Sequence, residues 1–138
     1  MKKLFAFKKQ GALYRFLLIG MIMFPLCAES VDSRLKKLSE EVNTGCPIML
    51  DQWTRLDSCA ACPNLTMKYY LTLNEVTVTD TSLFKSRLKP QITSSLKINP
   101  DMKFFKENNI AMQYRYGDPA GKYLFSVAVS PENYNKNN

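Results

Sequence analysis

Residues 48–79 read IMLDQWTRLDSCAACPNLTMKYYLTLNEVTVT, and the way this stretch divides into strands decides the fold. From Leu65 to Thr79 it is rich in β-formers. Met67, Tyr69, Leu71 and Leu73 fall on one side and Lys68, Tyr70, Thr72 and Asn74 on the other, the period-two pattern of a half-buried strand. Ile48 to Ser58 also alternates. Leu50, Gln52, Thr54 and Leu56 share one face, while Asp51, Trp53, Arg55 and Asp57 share the opposite one. The link between the two segments, Cys59-Ala-Ala-Cys62-Pro63-Asn64, is turn-like. The reading is therefore a hairpin of two strands.

On the N-terminal side, Val31, Leu35, Leu38 and Val42 recur at spacings of four, three and four, which is one apolar stripe on a helix. Ser30 or Asp32 caps its start and Asn43-Thr44-Gly45 ends it. On the C-terminal side, Asp80-Thr81-Ser82 opens a second helix carrying Phe84, Leu88, Ile92 and Leu96. Pro90 inside it removes a backbone donor and predicts a kink or break near Lys89. Asn99-Pro100 starts a short third helix with Met102 and Phe105 facing inward. Ile110 to Tyr116 and Lys122 to Ser130 are two further strands joined by Gly117-Asp-Pro-Ala-Gly121, with Tyr123, Phe125, Val127 and Val129 on one face. Pro131 to Asn138 is expected to be a loose polar tail. The order α-β-β-α-β-β predicts an α+β domain over residues 29–130: a four-stranded antiparallel sheet with helices packed on one face.

The chain's charge of +7 is unevenly spread. Lys2, Lys3, Lys8, Lys9 and Arg15 stand in residues 1–28 without an acid, leaving 14 basic residues against all 12 acidic ones in the remainder. The remainder has the mixed surface of a soluble domain and no basic footprint for nucleic acid. The lysine-rich start precedes the charge-free run Phe16 to Leu26, which is shorter than the ~20 residues of a spanning helix and matches the apolar core of an export signal. Residues 1–28 thus read as a signal peptide, cut after Ala28 or Ser30, or as an N-terminal anchor, because Ala12 to Ala28 is apolar apart from Tyr14 and Arg15. Cys27 raises lipidation as an alternative, but Leu26 stands where a small residue is wanted. The expected setting is exported, periplasmic or secreted, with membrane contact only through this leader.

Export brings the cysteines into an oxidising compartment. With Ile48–Ser58 as one strand, Cys46 stands more than ~30 Å from Cys59, against roughly 7 Å for a disulfide. Cys59–Cys62 is then the expected bond, unless a bulge at Thr54-Arg55 folds the segment back and brings Cys46 within reach. The remaining cysteine is free or pairs between molecules. As a redox motif, Cys59-Ala-Ala-Cys62 lacks the helix on its C-terminal side that lowers a thiol pKa. After a cut at Ala28 three cysteines remain, and three thiolates without histidine make a poor zinc site. No histidine also means no histidine-based triad, and no cofactor motif is present. Asn64-Leu65-Thr66 is a glycosylation sequon, which reads as chance.

The face carrying Asp51, Trp53, Arg55 and Asp57, with Tyr70 opposite, is either a solvated sheet surface laced by cross-strand ion pairs or a binding surface. The second reading rests on the chain's single Trp beside Arg and Tyr, residues enriched at protein–protein hot spots. Asp51 and Asp57 as a glycosidase pair would stand roughly 20 Å apart along a strand, too far for a retaining mechanism at about 5.5 Å.

The run Cys46-Pro47-Ile-Met-Leu-Asp51-Gln-Trp-Thr54-Arg55-Leu56-Asp57-Ser58, followed by Tyr69-Tyr70-Leu-Thr72-Leu73, resembles a group of small exported bacterial proteins of uncharacterised function. They share a P-x-x-L/V-D-x-x-T-R-L-D-S pattern, then a Pro-containing turn and Y-x-Y-T-L. The resemblance extends to the interior proline of the second helix and to Tyr114-x-Tyr116. This chain departs at Tyr69-Tyr70-Leu71 and adds Cys59 and Cys62 in the turn. The resemblance implies a periplasmic or envelope setting and no activity. The expectation is a non-enzymatic domain that binds a protein or other ligand through an exposed sheet face. The alternatives are a thiol–disulfide protein and a membrane-anchored component of an envelope assembly.

Overall fold

Ser30 starts the first helix by accepting the N–H of Ser33 at 3.2 Å, the expected N-cap geometry. The computed structural model describes residues 28–135; residues 1–27, which hold nearly all of the leader, lie outside them. α1 (Val31–Thr44) buries Leu35 and Ser39 and packs Val31, Leu38 and Val42 against the core, so the apolar stripe faces inward. Gly45 closes it by donating to the carbonyls of Asn43 and Val42.

The segment after α1 forms two strands rather than one. β1 (Ile48–Met49) and β2 (Thr54–Cys62) run antiparallel, with Ile48 opposite Leu56 and Met49 opposite Arg55. The chain reverses over residues 50–53, where one oxygen of the Asp51 carboxylate accepts the N–H groups of Trp53 and Thr54, both at 2.8 Å. An aspartate that satisfies backbone donors two and three residues on is a turn former, which the polarity pattern alone conceals. β2 then continues through Cys59 and Cys62. The turn is Pro63–Leu65, with Asn64 and Leu65 both at positive φ, a conformation that asparagine tolerates well. β3 (Thr66–Leu73) ends six residues earlier than its pattern suggests.

α2 (Thr81–Ile98) is capped by Asp80, whose side chain accepts from Leu83 N–H at 3.0 Å. The expected break at Pro90 does not occur, and the helix runs on to Ile98. Pro90 and Ser86 both stand on the exposed side, so the carbonyl that Pro90 leaves without a donor faces solvent, the cheapest place for it. Leu88, Ile92 and Leu96 are buried on the other side. A 3₁₀ turn (Pro100–Met102) and α3 (Lys103–Glu107) lead to β4 (Ala111–Gly117) and β5 (Tyr123–Val129).

The sheet has five strands in the order β1-β2-β3-β4-β5, and it is mixed rather than antiparallel. β3 and β4 are parallel, from Thr66 opposite Ala111 to Thr72 opposite Gly117, and the other neighbours are antiparallel. The reason is the connection. An 18-residue α2 spans about 27 Å, enough to carry the chain back to the end of the sheet where β3 began, so the next strand starts in the same direction.

Pairing aligns side chains into inward rows. Leu56, Leu71, Tyr116 and Phe125 form one row; Cys59, Tyr69, Tyr114 and Val127 form the next; Ala61, Met67, Met112 and Val129 form the third. Tyr69 stacks on Tyr114 at 5.2 Å between centroids and Tyr116 on Phe125 at 4.8 Å, contacts that add to area burial. α1 lies over β2, and α2 lies over β5 with Phe84 6.0 Å from Phe125. Both helices therefore cover this inner face. Beyond β1, the side-chain amide of Asn43 accepts the N–H of Cys59 at 2.7 Å and donates to its carbonyl at 2.8 Å, standing in for a neighbouring strand.

The described part of the expected tail is ordered, while residues 136–138 lie outside the described ones. Pro131–Asn135 form α4, and Tyr134 is 1% exposed. The Tyr134 hydroxyl hydrogen-bonds the Ile110 carbonyl, with that of Phe105 at 3.3 Å. Burial pushes its phenol up to about 12. Burial pushes Tyr116 up as well, further aided by the charges of Tyr114 and Asp51.

Two outcomes test this packing. Asp51→Ala should destabilise the domain by about 2 kcal/mol, the scale of losing hydrogen bonds to a charged acceptor, read as a shift of the urea midpoint at constant slope. The second concerns pH. Both phenols keep their protons in the fold beyond the pH at which an unfolded tyrosine, near 10, releases its own. The unfolded state therefore binds fewer protons above pH 10, and stability falls as pH rises. Urea unfolding should show a plateau below pH 9 and a decline above 10 that is shallower in Tyr134→Phe.

Candidate functional site

The opposite face of the sheet carries no helix among the described residues. Its side chains also come in rows: Ser58, Tyr70, Arg115 and Ser126 in one, Ala60, Lys68, Gln113 and Ala128 in the next. Arg55 pairs with Thr72 at one end. The register shifts between Leu56 and Ser58, a bulge that holds Asp57 over its neighbours. One Asp57 oxygen accepts from Arg55 Nε at 2.5 Å and the other from the Thr72 hydroxyl at 2.6 Å. The Arg55 and Asp57 side chains remain 41% and 32% exposed, so this ion pair is surface chemistry of modest strength.

Next to the pair lies an aromatic and cationic cluster. Lys68 Nζ stands 5.4 Å from the centroid of the Tyr70 ring. The Arg115 guanidinium stands 6.0 Å from the same ring and 5.1 Å from Tyr123, within the range of cation–π attraction. Tyr123 is 49% exposed, although strand alternation groups it with Phe125, Val127 and Val129. A register shift between Tyr116 and Gly117 pairs Phe125 with Tyr116 but Tyr123 with Gly117, so the extra residue Leu124 turns Tyr123 to the outer face.

Of the sequence-predicted face, the structure brings together Arg55, Asp57 and Tyr70. Asp51 and Trp53 both sit in the β1–β2 turn, before the start of β2. Asp51 is occupied by backbone N–H groups and the Trp53 carbonyl accepts from Asn74 N–H at 2.7 Å. Arg115 is an addition that the sequence reading misses. A signal for it exists, because Met112, Tyr114 and Tyr116 alternating inward force Gln113 and Arg115 outward. Tyr123 cannot be found this way, since a bulge reverses the alternation that would place it.

The Cys59–Cys62 bond is also corrected. Both are free thiols, as is Cys46. Residues three apart in a continuous strand are separated by about 10 Å and point to opposite sides, so no disulfide joins them. Cys59 is 3% exposed and its thiol is pushed up to about 12, by burial first and then by the charge of Cys46. That is the reverse of an activated redox cysteine, and the thiol–disulfide reading loses its support. Among the described residues no three Cys, Asp or Glu side chains cluster as a metal site, and no helix is long and apolar enough to cross a membrane.

The chain belongs to the family described as a domain of unknown function, DUF8479, which matches residues 30–125. No curated protein matches the sequence. Three solved structures share the fold. The pilotin EpsS of the Vibrio vulnificus type 2 secretion system superimposes with a TM-score of 0.62 at 9% identity, over 78% of this chain and 94% of that one. The type II secretion system pilotin AspS of Vibrio cholerae gives 0.57 at 13% identity, over 75% and 91%. A candidate secreted protein of Pseudomonas aeruginosa gives 0.56 at 12% identity, over 78% and 98%. At these identities the likeness is one of fold, and it spans nearly the whole of each of the three.

Arg115→Ala should leave stability within about 0.5 kcal/mol of the parent, as for a surface side chain. Equilibrium unfolding in urea checks that Arg115 serves the outer face and not the core.

Proposed function

We propose that this chain is an exported, non-enzymatic protein of the bacterial envelope that acts by binding a protein partner, as an accessory of an assembly such as a type II secretion system. The observation that carries the reading is the sheet face left bare by α1 and α2. Arg55, Lys68 and Arg115 stand there with Tyr70 and Tyr123, against the single carboxylate of Asp57. Tyrosine and arginine present large, semi-rigid contact areas and are the residue types most often decisive at interfaces. The excess of positive charge favours a partner segment with exposed acidic residues.

Two further observations support it. The fold is shared with two secretion-system pilotins over three quarters of the chain or more. The leader has the lysine-fronted, apolar character of an export or anchoring segment, so that membrane contact, cleaved or retained, falls to residues 1–28. Among the described residues, the carboxylate of Asp57 on this face is held by Arg55 and Thr72.

Site-specific photo-crosslinking in intact cells tests the reading. A photoreactive residue at Tyr123 should give a discrete adduct with one envelope protein. The same residue at Arg87, on the exposed side of α2, should not, and the combined Tyr70→Ala and Arg115→Ala changes should remove the Tyr123 adduct. Equal labelling from both positions, or none from Tyr123, would overturn the assignment to the sheet face.

A further inference from the structure

The reversal at residues 50–53 has a chemical result at its open end. Because β1 runs back along β2 with Ile48 opposite Leu56, the chain just before β1 is led toward Ser58 and Cys59. Cys46 packs against the core in which Cys59 lies. The two thiols end on one piece of helix. Cys46 Sγ donates to the Val42 carbonyl at 3.4 Å, and Cys59 Sγ donates to the Ser39 carbonyl at 3.5 Å. Residues 39 and 42 are three apart on α1, hence neighbours about one turn apart on the same face. Asn43, four residues after Ser39 on the same helix, clamps the backbone of Cys59 through both its N–H and its carbonyl. The sulfurs therefore converge on one spot beneath the C-terminal turn of α1. Cys62 is directed to the other side of β2, with only the Ala60 carbonyl at 3.9 Å.

We propose that Cys46 and Cys59 are a disulfide-forming pair that staples the end of α1 and the start of β1 to strand β2, with Cys62 left outside the pair. The chemistry is a thiol–disulfide exchange with a disulfide-bearing oxidant, either a small-molecule disulfide or an oxidoreductase. One thiolate attacks the oxidant's disulfide and displaces its first sulfur as a thiol. The second cysteine then attacks the mixed disulfide and releases the other. Two protein thiols lose two protons and two electrons, the Sγ–Sγ bond forms, and the oxidant's disulfide becomes two thiols. Burial, which disfavours both thiolates in the folded chain, makes the exchange slow once the core is closed. The bond is accordingly made while the domain folds and is then sheltered from reductants.

The test uses the full-length protein, reduced, unfolded in urea and refolded with oxidised and reduced glutathione. Remaining thiols are alkylated before proteolysis and mass spectrometry. The expected product is a peptide pair joined between Cys46 and Cys59, 2 Da lighter than the two reduced peptides. It should form at a rate independent of protein concentration, with Cys62 alkylated or glutathionylated. Cys62→Ser should keep the crosslink. Cys59→Ser should lose it and leave Cys46 open to alkylation. Because Cys59→Ser alters the core, the Cys62→Ser protein provides the independent arm. If Cys46 and Cys59 both alkylate fully after refolding of that protein, or if Cys62 or Cys27 is found joined to either of them in the parent, the pairing is wrong.

Discussion

The parallel contact between β3 and β4 is the constraint on which this molecule rests. It joins two units that are each antiparallel, the α1–β1–β2–β3 half and the β4–β5 half. Such a contact exists only because α2 is long enough to return the chain across the sheet. The return has two effects at once. It aligns the inward rows, so that Tyr69 meets Tyr114 and Leu71 meets Tyr116 across the seam. It also lays α2 on the same side as α1, so that among the described residues no helix covers the other side. A bare face is thus a by-product of topology, and the residues displayed there are free to serve recognition rather than packing.

Local pattern makes much of this legible. The four inward positions of α1, its start at Ser30 or Asp32, the start of α2 at Asp80-Thr81-Ser82, the alternation along β3 and the buried stripe of α2 are read directly, because each depends on residues within a turn or two of one another. The features that escape are set by single residues that override a pattern. Asp51 turns an alternating run into a hairpin by satisfying two backbone donors, and period-two polarity is the same with or without that turn. Leu124 is one residue too many for its strand pair and reverses Tyr123. The direction of β4 is not readable, since parallel and antiparallel pairing need the same inward residues. Tyr134, in a polar tail, is held by carbonyls of Ile110 and Phe105 that are distant in sequence.

The candidate site is half legible for the same reason. Arg55, Asp57 and Tyr70 lie on strands whose pairing the alternation anticipates, and they fall together. Arg115 and Tyr123 come from strands whose neighbour the pattern does not identify, so nothing local brings them to the same surface. Two interior groups stand apart from the rest of the polar network: Thr54 Oγ1 and Tyr116 OH are buried without a hydrogen-bond partner among the described residues. Unsatisfied buried groups are costly, and both come from the motif-bearing strands, Thr54 from the T-R-L-D-S run and Tyr116 from Tyr114-x-Tyr116.

The Asn43 amide has one more consequence. Open sheet margins invite a foreign strand, and proteins blunt them by various devices. Here one margin is blunted twice, by the two-residue β1 and by an asparagine side chain posing as a peptide group at Cys59. The opposite margin, β5, has a strand on one side only. Growth by strand addition is therefore polar: it starts at β5 and has no complementary margin on the next molecule to continue from. Two copies meeting there would close on each other and stop, so the architecture discourages fibres.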